Sequence, residues 1–355
     1  MSFLSDNKAF EAWLRTQCSV VRKDIDYKHE RMGLDPFTFL RATFFRWARK
    51  IESICPDLAR APRVLSVGDL HLENFGTWRD AEGRLIWGIN DFDEAALIPY
   101  AFDLLRLATS ARLAPDISVG NREVSEAILI GYRRGLTRPR PTLLDEQETW
   151  MRPYVACNDA ERRKFWQEVD ALTPVNPPAE AAKALKKSLP RNASDLRFAP
   201  RRKGGGSLGR PRYVVSANWG GGRILREAKA LVPSAWDWAH DAANPRSRFL
   251  DLARGKFRAP DPFLDIQGHF IVRRSAPDSR KVDLNRGMIR GLPAALLEAM
   301  GFDLGAIHAA SASKHAAVLQ DLDSRPADWL RQATKTAAAA VEKDFDAWTV
   351  ETRAR

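Results

Sequence analysis

The sequence predicts an α+β protein whose catalytic-type motifs come first and whose small β-rich lobe sits in mid-chain. Three observations lead there. Two short apolar runs between residues 64 and 94 each end in an acidic loop, glycine-rich turns separate strand-like runs from 204 to 230, and helical periodicity dominates both ends. The expected parts are a helical, acidic-loop part over 1–198, a small β-rich part over 199–286, and C-terminal helices over 287–355 that return to the first part.

Composition bounds the rest. The 355 residues are 45% hydrophobic and 28% charged, enough for a substantial core. No run of about 18 apolar residues and no basic-then-apolar leader is seen, so neither a membrane span nor a secretory signal is expected. Cys18, Cys55 and Cys157 are not closely paired, which fits a reducing cytoplasm and argues against a disulfide framework or a cysteine zinc site. The formal charge is +11, and nine Lys or Arg against one acid, Asp195, fall between Lys186 and Arg212. Such a segment is either a solvated linker or a grip for phosphates.

In chain order, residues 8–31 read as one or two helices. Asp35-Pro36 opens a helix running toward Cys55, with Asp35 as cap, Pro36 in the first turn, and Phe37, Leu40, Phe44, Trp47, Ala48 and Ile51 as a core stripe. A mostly apolar helix follows Pro99; its Asp103 either pairs with Arg106 on the helix surface or braces a loop from below. Helices are expected over 121–135 and through 143–187, interrupted by Pro174, Pro177 and Pro178. Strands are expected at 212–217, 223–230, 270–274 and 281–284, with a helix over 234–254 against them. The last helices are expected over 292–300, 304–322 and 327–348, with His308 a core histidine.

The chemistry concentrates in Gly68-Asp69-Leu70-His71-Leu72-Glu73-Asn74 and, after the strand 85–89, in Asn90-Asp91-Phe92-Asp93-Glu94. Protein kinases use D-x-x-x-x-N followed by a metal-binding Asp-Phe, and Gly-Asp-x-His-x-x-Asn resembles the loop of aminoglycoside phosphotransferases. Phosphoryl transfer needs hard oxygen ligands for magnesium near a carboxylate that orients the acceptor hydroxyl. Asp69 is the candidate carboxylate with His71 beside it, and Asn74, Asp91 and Asp93 are candidate metal ligands. The competing expectation is a turn closed by Asp69 and Asn74 followed by a solvated acidic loop.

Gly204, Gly206 and Gly209 match G-x-G-x-x-G, but the run leads into a strand rather than opening a helix, so a dinucleotide fold is not expected. A glycine hairpin followed by a basic strand is how a kinase small lobe covers ATP phosphates. Gly204, Gly206, Ser207 and Gly209 would form the cover, and Lys229 or Arg226 the cation. These two residues point to opposite faces of a strand, and the distance to Pro233-Ser234 favours Lys229. Two tight hairpin turns without ligand would give the same glycines.

Five stretches together carry a resemblance: Met32-x-x-x-Pro36-Phe37-x-Phe39-Leu40-Arg41, Gly68-Asp69-x-His71-x-x-Asn74-Phe75-Gly76, Asn90-Asp91-Phe92-Asp93-Glu94, Asp103-Leu104-x-Arg106-Leu107-Ala108 and Leu304-x-x-x-His308-Ala309. They resemble the bacterial domain-of-unknown-function 2252 family, which is grouped with the protein-kinase-like folds. The resemblance implies a permuted order, with a mid-chain glycine loop and a Lys-Glu-Ala strand after the acidic motifs. This chain departs by reading Arg226-Glu227-Ala228-Lys229 at that strand. The expected activity is ATP- and Mg2+-dependent phosphoryl transfer to a small-molecule or protein hydroxyl. Nucleotidyl (AMP) transfer on the same scaffold, or nucleic-acid binding by a non-catalytic basic protein, are the alternatives.

Overall fold

The computed structural model describes residues 2–115, 120–155, 157–280 and 294–353. The chain opens with α1 (Phe3–Gln17), α2 (Arg22–Met32), α3 (Pro36–Ala42), α4 (Phe44–Ile54) and α5 (Pro56–Ala59), then β1 (Arg63–Ser66), β2 (Phe75–Arg79), β3 (Leu85–Ile89) and β4 (Ala96–Pro99). Next come α6 (Tyr100–Leu113), α7 (Asn121–Thr137), β5 (Thr142–Leu143), α8 (Arg152–Val155), α9 (Asp159–Asp170) and α10 (Ala179–Lys187). The middle of the chain holds β6 (Ser194–Pro200), β7 (Arg212–Trp219), β8 (Gly222–Ala230), α11 (Ala235–Ala239), α12 (Phe249–Ala253), β9 (Asp265–Gln267) and β10 (Phe270–Ser275). Helices α13 (Ala294–Ala309), α14 (His315–Ser324) and α15 (Trp329–Arg353) close it. The expected strand 281–284 lies outside the described residues. No described helix is long and apolar enough to cross a membrane.

Asp35 caps α3 through Thr38 N (2.8 Å), with Pro36 in the first turn. The helix does not run unbroken to Cys55. Thr43 leaves helical geometry (φ −125, ψ 37) and its hydroxyl bonds Phe39 O at 2.7 Å, so α4 restarts at Phe44. The stripe survives the break, and all six of its residues are buried.

Helices α7 and α13 run parallel with their backbones in contact. A Cβ on Gly131 would lie 1.8 Å from Glu298 O, and one on Gly301 would lie 2.2 Å from Ile128 O; Gly135 and Gly305 repeat the pattern one turn on. This explains why α13 continues through Gly301 instead of breaking after Met300. The chain turns after Ala309, so the expected helix 304–322 is divided between α13 and α14.

The small lobe is an antiparallel five-stranded sheet in the order β6-β7-β8-β10-β9. Gly220 and Gly221, at φ 56 and 78, make the two-residue turn between β7 and β8. One face is covered by α10, whose Ala181, Ala184 and Leu185 pack on Val215, Ala228, Phe270 and Val272. The helix expected over 234–254 is instead the two short segments α11 and α12, separated by a stretch containing Pro245, and Trp236 and Phe249 insert into the main core.

Two buried carboxylates fix the acidic loops to this scaffold. Asp103 of α6 accepts from Val67 N (2.7 Å) and Gly68 N (2.9 Å), and His308 Nε2 approaches it at 3.1 Å. Tyr132 OH meets the other imidazole nitrogen at 2.9 Å, so His308 is a bridging core residue. Asp303 of α13 accepts from Ile89 N (2.7 Å) and pairs with Arg258 (3.1 Å), which lies against Trp78 and Phe92.

Asp103→Ala strands two buried N–H groups and one imidazole, so urea unfolding should show a loss of about 3 kcal/mol. A loss under about 1 kcal/mol would contradict the brace. Gly301→Ala tests the helix contact by sign: propensity alone would stabilise by about 1 kcal/mol, whereas overpacking costs about 1–3 kcal/mol or more. A net loss of stability is expected.

Candidate functional site

The turn after β1 is built around Gly68, at φ +82, where a Cβ would lie 2.3 Å from Glu94 O. Only glycine permits that approach. Asp69 follows, and its Oδ1 accepts from Arg106 Nε at 3.0 Å and from Nη2. Arg106 therefore pairs with Asp69, not with Asp103 as a surface pair on α6. Its guanidinium is fully buried between the Phe44 and Trp47 rings and also donates to Leu40 O (2.8 Å). Burial raises the Asp69 carboxyl to about 6 despite the Arg106 charge, and the nearby carboxylates of Glu94 and Asp91 push the same way.

A 3₁₀ turn, Leu72–Asn74, follows. His71 Nδ1 caps it by accepting from Glu73 N (3.2 Å), and the Asn74 amide donates to Asp69 O. The Asn74 side chain is thus oriented by the loop that carries Asp69. Asn90 N bonds Asn74 O (3.0 Å), joining the two acidic motifs at their bases.

Beyond β3, Asp91 and Asp93 face Lys229 of β8. Its ammonium is 3.5 Å from Asp91 Oδ1 and is hydrogen-bonded to Asp93 Oδ2. Arg210 adds 3.3 Å to Asp93 and 2.7 Å to Glu94. Glu94 also accepts from Ala235 N (2.6 Å), which anchors the start of α11. Asp93 Oδ1 is buried without a hydrogen-bond partner, an oxygen suited to a cation. Among the described residues no group of three His, Cys, Asp or Glu is arranged to hold a metal. Asn74, Asp91 and Asp93 fit a magnesium site of the type that takes one or two carboxylates and fills the remaining positions with phosphate oxygens and water.

Gly204, Gly206 and Ser207 line the same cavity. A Cβ at Gly206 would sit 3.0 Å from Arg41 O and 3.1 Å from Asp69 Oδ2, so the loop lies directly over Asp69. Lys28, buried beneath it, reaches Gly206 O at 3.5 Å. Two expected site residues fall elsewhere. Gly209, at φ +95, packs on Ile25 where any side chain would clash, and so anchors the loop on α2. Arg226 points to the opposite face of β8, donating to Ser188 O (3.1 Å) and stacking on Phe263. Strand alternation leaves Lys229 on the cavity face, together with Glu227.

Asp69, Asn74, Asp91, Asp93 and the loop from Gly204 to Ser207 line a cavity of about 460 Å³. Of the described residues lining it, seven are Lys or Arg and seven are Asp or Glu, so its wall carries both signs of charge in equal number. Sequence reasoning missed Arg106, Arg210, Arg212, Glu227 and Arg273. Two signals were available, Arg106 in the Asp103-Leu104-x-Arg106 stretch and the two-residue spacing of Glu227 and Lys229. The basic segment 186–212 is not a free linker: it contains β6, and Arg201, Arg210 and Arg212 turn inward to acids, while Arg202 pairs at the surface with Asp24.

No curated protein and no solved structure matches the chain. Residues 21–150, from α2 to the turn before α8, match the model of a family described as "Uncharacterized protein conserved in bacteria (DUF2252)". That match covers well under half of the chain; it contains Asp69, Asn74, Asp91, Asp93 and Asp103 but not the five-stranded sheet, and over that stretch the chain is similar to this bacterial family.

Proposed function

We propose that the protein is a magnesium-dependent phosphotransferase of kinase-like, permuted architecture that uses ATP and an acceptor hydroxyl. The observation that carries this reading is one cavity lined both by Asp69, Asn74, Asp91 and Asp93 and by the glycine loop, with Lys229 paired to Asp91 and Asp93, although more than 100 residues separate the two sets in sequence. The sheet order supports it. The glycine loop joins the first two strands and the lysine lies on the third, as in the small lobe of protein kinases.

In this reading Asn74, Asp91 and Asp93 hold magnesium, which neutralises charge on the phosphates and fixes their geometry. Lys229 turns from the two aspartates to the phosphate oxygens. The glycine loop covers the phosphates with backbone N–H groups. Asp69 accepts the proton of the acceptor hydroxyl as its oxygen bonds the γ-phosphorus and the bond to the β-phosphate oxygen breaks, releasing ADP. Arg106 holds the Asp69 carboxylate in place throughout. His71 supports the turn that carries Asn74.

Calorimetry with ATP should show binding that requires magnesium. Asp91→Ala should weaken it more than about tenfold, about 1.4 kcal/mol, while Asp69→Ala keeps it; wild-type protein that binds no nucleotide would overturn the reading. The pH dependence follows from Asp69, whose carboxyl is raised to about 6 and which acts only when ionised. Slow magnesium-dependent ATP hydrolysis should be low at pH 5 and climb through a half-maximum at about pH 6. Asp69→Asn should be flat and low across the same range.

A further inference from the structure

Glu227 and Lys229 share the face of β8 opposite the one that α10 covers, the face from which the neighbouring strands send Arg212 and Arg273 to the cavity. The Glu227 carboxylate is buried and receives three guanidiniums: Arg212 of β7 at 2.8 Å, Arg273 of β10 at 2.7 and 3.0 Å, and Arg201, just after β6, at 3.4 Å. Burial alone would raise its pKa, but these arginines and Lys203 hold the carboxyl well below the usual range, so it stays an anionic anchor. Arg212 and Arg273 line the cavity directly.

The hydrogen-bonded pairing is uneven at this spot. Asp91 and Asp93 are engaged by Lys229, and Asp93 and Glu94 by Arg210. Glu168 of α9 attracts Arg201 only at longer range. Three guanidiniums therefore converge on one buried carboxylate, with Asp91 and Asp93 acting on Arg273 from farther away, and two of the three present their remaining N–H donors to the cavity. Guanidinium forks match phosphate oxygens in pairs, and Glu227 holds these forks in place. Arg212 also donates to Ser207 Oγ at 3.0 Å, tying the cluster to the glycine loop.

We propose that this arginine cluster is a phosphate-binding site that works without metal, taking an oxyanion of at least two charges. Its source is either the terminal phosphates of the nucleotide or a phosphate ester carried by the acceptor. Only that choice of source rests on the nucleotide reading given above.

The test is calorimetry of the full chain with inorganic tripolyphosphate in EDTA at low salt. Wild-type protein should bind, Arg273→Gln and Arg212→Gln should bind at least tenfold more weakly, and Arg202→Gln, which removes an equal charge at the surface, should match wild type. If ATP displaces tripolyphosphate, the nucleotide is the source; if ATP and inorganic phosphate bind together and Arg273→Gln loses only the phosphate, the acceptor is. No binding by wild type, or an equal loss in Arg202→Gln, overturns the proposal. Should Arg273→Gln fail to fold, Arg273→Lys keeps the charge without the fork, and unchanged affinity there overturns it equally. Tripolyphosphate binding without any magnesium-dependent ATP binding would leave the arginine site standing and sink the phosphotransferase reading alone.

Discussion

The pair of hydrogen bonds from Val67 and Gly68 to Asp103 is the constraint on which the remaining geometry depends. A loop that carries a catalytic-type carboxylate has no ladder partner for its own amides, and buried amides must be paired. Asp103 supplies both acceptors from the first turn of α6. His308 and Tyr132 extend the same network to α13 and α7, the helices whose glycines bring their backbones together. Because those two helices touch backbone to backbone, His308 has little room to shift. The position of Asp69 is thus set by helix packing on the far side of the core.

Asp303 repeats the device at the end of β3, one buried carboxylate gripping Ile89 N and held in turn by Arg258. Breaking such a pair costs far more than forming it gains, because the survivor is left charged and dry. Both acidic motifs are therefore rigid at their bases, while the groups that face the cavity are held mainly by one another. Lys229 lies between Asp91 and Asp93, a self-pairing that a stronger cation and a phosphate could exchange without moving the backbone.

What was legible in the sequence was local. The spacing of Asp69 and Asn74 and the Asp91-to-Glu94 run lie within single loops, and β3 and the α3 cap carry turn and capping signals of their own. What was hidden depends on distant partners. Asp103 and Arg106 are three residues apart on a helix and invite pairing with each other, yet each serves the Asp69 loop separately. Strand β6 alternates only briefly, with Leu196 and Phe198 interleaved with Asp195 and Arg197 in a charged stretch, and β9 is three residues long, so neither offered a period long enough to read. Gly209 fits a phosphate-loop pattern in sequence, but its space is taken by Ile25. Gly301 looked like a helix end because the neighbouring backbone that requires it is more than 150 residues away.

The close approach of Gly206 to Asp69 bears on what the loop can carry. A Cβ there would stand 3.0 Å from Arg41 O and 3.1 Å from Asp69 Oδ2, pressing on the backbone of α3 and on the carboxylate at once. The loop can lie this low over Asp69 because it brings backbone and no side chain to that point, which leaves the space beside the carboxylate for whatever the cavity takes in.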